Sequence, residues 1–335
     1  MDILDDKNIK LHFTILYGVI GVLVLVVLIL SIALRFHGTS HAEMTTNETI
    51  QTTESDNNSE TTSANTETTA ATTYPPATVP SNTGNSTLVT QKRTLPVMDD
   101  DMKQSLLSLD NTLRGWGPGS NVDAANRPYG AISAQSAYGE YGSSYIMSDN
   151  KIYLTFDEGY ENGYTAEILD VLKEKNVKAV FFITMSYAKN EPALVQRMID
   201  EGHVVGNHST EHLSFPEMTL EDAYADIKAL HDYVYDRFGY SMSLFRFPMG
   251  ESSNRTQALL QELGYTSVFW SFAYKDWETD NQPAHDEAFA KITGCAHPGA
   301  IYLLHAVSQT NTKLLPSIID DFRQKGYEIA LYPVN

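Results

Sequence analysis

From Lys151 to the C-terminus, short apolar runs alternate with segments of helical spacing, and no other feature constrains the fold so tightly. Strand-like runs fall at 151–156 (KIYLTF), 177–184 (VKAVFFIT), 203–206, 244–247, 265–272, 299–305 (GAIYLLH) and 327–332. Helical stretches at 165–175, 191–201, 220–238, 255–263, 286–292 and 312–325 separate them, and glycines at 202, 239, 264 and 326 close four of these. Strands joined by crossover helices pair in parallel. The reading is therefore an α/β domain of about seven parallel strands, either a barrel or an open doubly wound sheet. In both, reactive groups gather beyond the carboxyl ends of the strands.

The polar residues meet that expectation. Asp157 and Glu158 follow the first run, and His208 and His212 follow the third. Arg246 ends the fourth, Asp276 and Trp277 follow the fifth, and His305 ends the sixth. Any one of these would be ordinary in a polar loop; together they are hard to read as a merely solvated face. His208-Ser-Thr-Glu-His212 is the strongest local signal, because a spacing of four sets two imidazoles on one side of a helical turn, close enough to share a metal ion. Two imidazoles, a carboxylate and open water positions would make a catalytic rather than a structural site. The adjacent acids Asp157 and Glu158 can divide labour, one toward a metal and one as base. Arg246 between Phe245 and Phe247 suits pairing with a carboxylate. His305, taken alone, reads more readily as a satisfied core histidine.

The 335 residues allow one domain of about 200 residues plus appendages. Residues 13–34 form a run of 22 without one charge, enough to cross a bilayer as a helix after a short tail at 1–12. A small-residue site at Ser40-His41-Ala42 leaves cleavage open as an alternative. Residues 45–90 hold 16 threonines and a single aromatic, Tyr74. Such a segment buries too little apolar surface to offset its ordering entropy, so 35–94 reads as a disordered linker. Residues 95–146 form an N-terminal extension, with a short helix expected over 99–114 and an irregular Gly-, Ser- and Tyr-rich stretch over 115–145. The catalytic domain then spans 147–335. A formal net charge of −19 argues against nucleic acid as a partner and against electrostatic docking on anionic lipid. The single cysteine, Cys295, excludes an intramolecular disulfide and a multi-thiolate zinc site.

The motifs resemble those of the polysaccharide deacetylases, the family 4 carbohydrate esterases. Thr155-Phe156-Asp157-Glu158-Gly159, His208-Ser209-x-x-His212, Arg246-Phe247-Pro248-Met249-Gly250, Asp276-Trp277 and Leu303-Leu304-His305 follow that family's order over about 145–335. The longer strings TFDEGYENGYT, FWSFAYKDW and HPGAIYLLHAVSQTN are similar to the delta-lactam-biosynthetic de-N-acetylases, which act on N-acetylmuramic acid of peptidoglycan. The resemblance implies a distorted (β/α) barrel and metal-dependent hydrolysis of N-acetyl groups with release of acetate. It implies that His208 and His212, with Glu158, hold Zn²⁺ or another divalent ion such as Co²⁺ or Mn²⁺. Asp157 would be general base and His305 general acid. Arg246 would orient Asp157, and Asp276 would tune His305. The Met249 backbone N–H would help hold the oxyanion, with Trp277 and Leu303 bordering the substrate. The partner implied is a peptidoglycan strand, reached from a single-pass anchor with the enzyme on the extracytoplasmic side. The family's third metal ligand is usually Asp, so Glu158 departs by one methylene; Met249 replaces the usual Tyr, and Ser271 replaces an acid. A glucosamine deacetylase and a non-catalytic wall-binding relative stand as alternatives. A barrel glycosidase would need a second acid opposite Asp157.

Overall fold

The computed structural model describes residues 92–334. The expected tail at 1–12, the expected span at 13–34 and all but the last three residues of the expected linker lie outside the described residues. Among those described, no helix is long and apolar enough to cross a membrane.

One sheet contains eight strands: β1 (Ser143–Ser144), β2 (Lys151–Glu158), β3 (Val180–Ile183), β4 (Val204–Asn207), β5 (Leu244–Phe245), β6 (Thr266–Val268), β7 (Ala300–His305) and β8 (Glu328–Ile329). The order is β1-β6-β5-β4-β3-β2-β7 with β8 on β2, and the paired strands are parallel. The seven expected strands are all present, several of them shorter. Beyond β6, Phe272 bridges Tyr302 of β7 in parallel register. The sheet therefore curls until the chain leaving β6 meets β7, a half-barrel that fits the distorted barrel expected. β1 was not expected: two serines in a polar stretch carry no strand signal, and the extension adds them beside β6.

Strand alternation sorts the side chains into two layers. Tyr153, Val180, Phe182, Val204, Leu244, Val268 and Ile301 pack with Tyr332 inside the curl. Ile152, Leu154, Phe156, Phe181, Ile183 and Val205 face the larger core under the helices. Gly206 lies on the inner side of β4, where a Cβ would come 2.5 Å from the Phe182 ring, so only glycine leaves that ring its place. The longest crossover helix, Leu220–Phe238, starts where the Thr219 side chain accepts the Asp222 N–H, and stops at Gly239 with φ +65°.

The extension packs on this sheet. Its first helix spans Asp100–Leu107, not 99–114, because the Asp110 side chain takes the Thr112 N–H and pairs with Arg114, favouring a turn. A second helix, Tyr129–Tyr138, was not expected, since its Ala- and Ser-rich sequence carries little helical periodicity. Upstream of both, the Arg93 guanidinium donates to the carbonyls of Met242, Leu263 and Gly264, just before β5 and β6 begin.

Candidate active site

Register sets the first pair of functional side chains. Asp157 of β2 lies opposite His305 of β7, and both occupy inward-facing positions at the strands' carboxyl ends. Arg246 follows β5 and is wholly buried. Its guanidinium lies 4.2 Å from the Phe182 ring centroid. It donates from Nη1 to Asp157 Oδ1 at 2.8 Å and from Nε to the Val268 carbonyl at 2.9 Å. Burial alone would raise the Asp157 pKa, but Arg246, with His208 and His305, outweighs it and holds the carboxyl below its ordinary value. Removing one member of such a buried pair strands the other charge, at about 3–5 kcal/mol.

His208 and His212 converge with ring centroids 4.9 Å apart. The route differs from the expected helical turn. Residues 208–212 form an irregular loop in which Ser209 and His212 take φ of 72° and 55°. Side chains compete successfully for the helical hydrogen bonds: Asn207 accepts the Ser209 N–H, Ser209 accepts the His212 N–H, and Asp226 accepts those of Thr210 and Glu211. His208 Nδ1 lies 2.8 Å from the Arg246 carbonyl, which fixes its proton there and leaves Nε2 as a lone-pair donor, 3.5 Å from Asp157 Oδ2. Burial pushes His208 down to about 4, so the ring is neutral at neutral pH.

Opposite them, His305 Nδ1 meets Asp276 Oδ1 at 2.7 Å, so Nε2 is the nitrogen left for chemistry. Asp276 is wholly buried; its Oδ2 accepts the His305 backbone N–H and Asn311 Nδ2. Burial lowers the His305 pKa, but the Asp276 carboxylate, aided by Asp157, more than reverses this and the net shift is upward.

Asp157, His208, His212 and His305 line a cavity of ≈ 630 Å³. Met249, Trp277 and Leu303 line it too. Met249 is held at φ 57°, and the Trp277 ring lies 5.5 Å from the His305 ring. Trp116, Gly117 and Pro118 of the extension add a wall, tied down by the Trp116 Nε1 bond to the Trp270 carbonyl. Asp157 is the one carboxylate among the residues lining this cavity, which does not favour a two-carboxylate glycosidase.

Glu158 is a correction. β2 runs through it, so alternation turns its side chain away from Asp157 and under the helices. There both carboxylate oxygens are buried without a well-formed hydrogen bond, and burial, reinforced by Glu161 and Asp157 and only partly offset by Thr165, drives its pKa well above the ordinary value. It does not line the cavity. Asn311 and Tyr274 were missed. Asn311, on the first turn of the helix Gln309–Gln324, binds Asp276 and is itself held by the Tyr274 hydroxyl. Both fall inside the strings FWSFAYKDW and HPGAIYLLHAVSQTN, but nothing in those strings marked them as parts of the Asp276 network.

The sequence over residues 145–268, which carries Asp157, His208, His212 and Arg246, matches the polysaccharide deacetylase family. The chain belongs to that family, whose members include the family 4 carbohydrate esterases, and it is a hydrolase of N-acetyl amides. It is 41% identical over 191 residues to the peptidoglycan-N-acetylmuramic acid deacetylase PdaA of Bacillus subtilis, covering 56% of this chain and 73% of that protein. It is 32% identical to the peptidoglycan-N-acetylglucosamine deacetylase PgdA of Listeria monocytogenes, over 55% of this chain and 38% of that one. The solved structure of B. subtilis PdaA superposes with a TM-score of 0.63 at 36% identity, covering 67% of this chain and 96% of that one.

Enzymes of this family are in general metal-dependent. Among the described residues, no three His, Cys, Asp or Glu side chains are gathered so as to enclose an ion. The donors on offer are His208 Nε2 and the His212 ring. They fit a divalent ion held by two imidazoles with its other positions open, while Glu158, on the other face of β2, does not line the cavity they face.

Proposed function

We propose that the chain removes the N-acetyl group from N-acetylmuramic acid residues of peptidoglycan, releasing acetate and leaving an amine able to close on the lactyl carboxyl as a lactam. The observation that carries this reading is the pairing of Asp157 and His305 across one cavity, with Arg246 bonded to the carboxylate and Asp276 to the imidazole. The 41% identity to a muramic acid deacetylase supports the choice of sugar.

Asp157, kept ionised by Arg246, takes a proton from the attacking water. His305, whose protonated form Asp276 favours, gives its Nε2 proton to the departing nitrogen. His208 and His212 would hold the divalent ion, Zn²⁺ foremost, which when bound polarises the amide carbonyl and acidifies water. The Met249 backbone N–H would donate to the oxyanion, while Trp277 and Leu303 border the acetyl group. Residues 13–34 would hold the enzyme in the cell membrane, with the cavity on the wall side.

Mass spectrometry of glycan strands after digestion tests the reaction, since acetyl loss and lactam closure change mass differently. Acetyl loss from muramic residues is expected. A new reducing end without acetate would overturn the deacetylation proposed, and loss from glucosamine alone would overturn the choice of sugar. Activity found only in a washed membrane fraction is expected of the anchored form; a soluble mature enzyme would point to cleavage after Ala42.

A further inference from the structure

Lys275 is the one lysine or arginine among the described residues that line the cavity. It stands there in a chain of formal net charge −19, so no general surplus of cations explains it. Its backbone is set between Tyr274 and Asp276, two buried side chains joined through Asn311 to the His305 network. Its backbone is thereby fixed relative to His305. Its ammonium is not. The salt bridge to Glu278, 2.7 Å long, joins side chains 60% and 38% exposed. Exposed pairs of this kind contribute about 0–1 kcal/mol, and an ammonium carries three donors, of which Glu278 occupies one.

We propose that Lys275 binds the lactyl carboxylate of the muramic acid residue being deacetylated, and so selects that sugar. This rests on the muramic reading above. The acetamido group is on C2 of the sugar and the lactyl ether on the adjoining C3, so an amide seated between Asp157 and His305 carries the carboxylate toward the cavity rim. Glucosamine has a hydroxyl at C3 and brings no anion. Apart from the residues assigned to the reaction, the wall is largely apolar and aromatic, with Trp116, Trp270, Trp277 and Leu303, and offers an anionic substituent no second Lys or Arg. Lys275 adds discrimination by charge.

The test is steady-state acetate release from muramic-containing oligosaccharides, compared with the same strands whose lactyl carboxyl is converted to a methyl amide. The wild-type protein is expected to favour the free carboxylate by about tenfold in kcat/KM, through KM, as suits one partly exposed charge-assisted contact. Raised salt shrinks that preference. In Lys275→Gln the preference falls below about twofold, Lys275→Arg keeps most of it, and Lys275→Glu reverses it, since only charge differs among these contacts. A Lys275→Gln protein that retains the wild-type preference overturns the assignment and leaves the muramic reading intact. Wild-type protein that releases acetate from glucosamine residues only overturns both.

Discussion

The two flanks of the cavity make opposite use of their hydrogen bonds. On one side, His208 and His212 stand on a loop with two residues at positive φ, and His208 Nε2 keeps its lone pair for an incoming ligand. On the other, Asp276 holds His305 by ring and backbone, Asn311 holds Asp276, and Tyr274 holds Asn311. The first flank keeps local backbone strain and an open valence. The second is saturated before any substrate arrives. A ligand must complete one side, whereas the other is a proton donor set in advance.

The largest effect is expected at His208. His208→Ala is expected to abolish bound metal and to lower acetate release by on the order of 10³-fold or more. Elemental analysis with a coupled acetate assay reads both, and full activity would contradict the two-imidazole site. Next is Asp276→Asn, for which a fall in kcat of about 10²-fold is expected. Its pH profile carries the sharper content. His305 acts as a cation, so activity is lost as pH rises through its pKa, which Asp276 raises. Without that carboxylate, burial dominates and the alkaline limb moves to lower pH; a loss of rate with the limb unmoved would deny Asp276 its tuning role.

Asn311→Ala tests whether the saturated flank is a unit. A loss of about tenfold in kcat is expected, as for other residues that orient a ligating or catalytic side chain. Smallest is Glu158→Gln, with kcat and metal content expected to stay within about twofold because the side chain faces away from both imidazoles. Its effect should appear in thermal denaturation instead. An acid whose folded pKa is raised destabilises the fold above its unfolded pKa. The variant should therefore melt higher than wild type near neutral pH, with the gain fading as pH falls toward 4.5. Loss of metal in this variant would restore Glu158 as a ligand.

Glu158 also shows where the sequence stops being legible. Strand-helix alternation located the rim, and the motifs located Asp157, the histidines, Arg246 and Asp276 on it. What alternation could not give was the residue at which β2 ends. Read as ending at Phe156, the strand leaves both acids free to turn toward the site. It runs through Glu158, and period two sends the neighbours to opposite faces. The His208–His212 spacing likewise implied convergence but not its means, because Asn207, Ser209 and Asp226 supply long-range and local acceptors that helical periodicity does not register. Asn311 acts through a contact 35 residues away in sequence, which no local pattern announces.

Arg93 is pinned beside the entrances of β5 and β6, while the cavity lies past their exits. The described domain is thus gripped at one pole and open at the other. Residue 92 therefore enters the described domain on the side away from the mouth. Fusions or surface attachment through the N-terminal side should leave turnover intact, whereas a linkage routed past Trp116 would cross the opening itself.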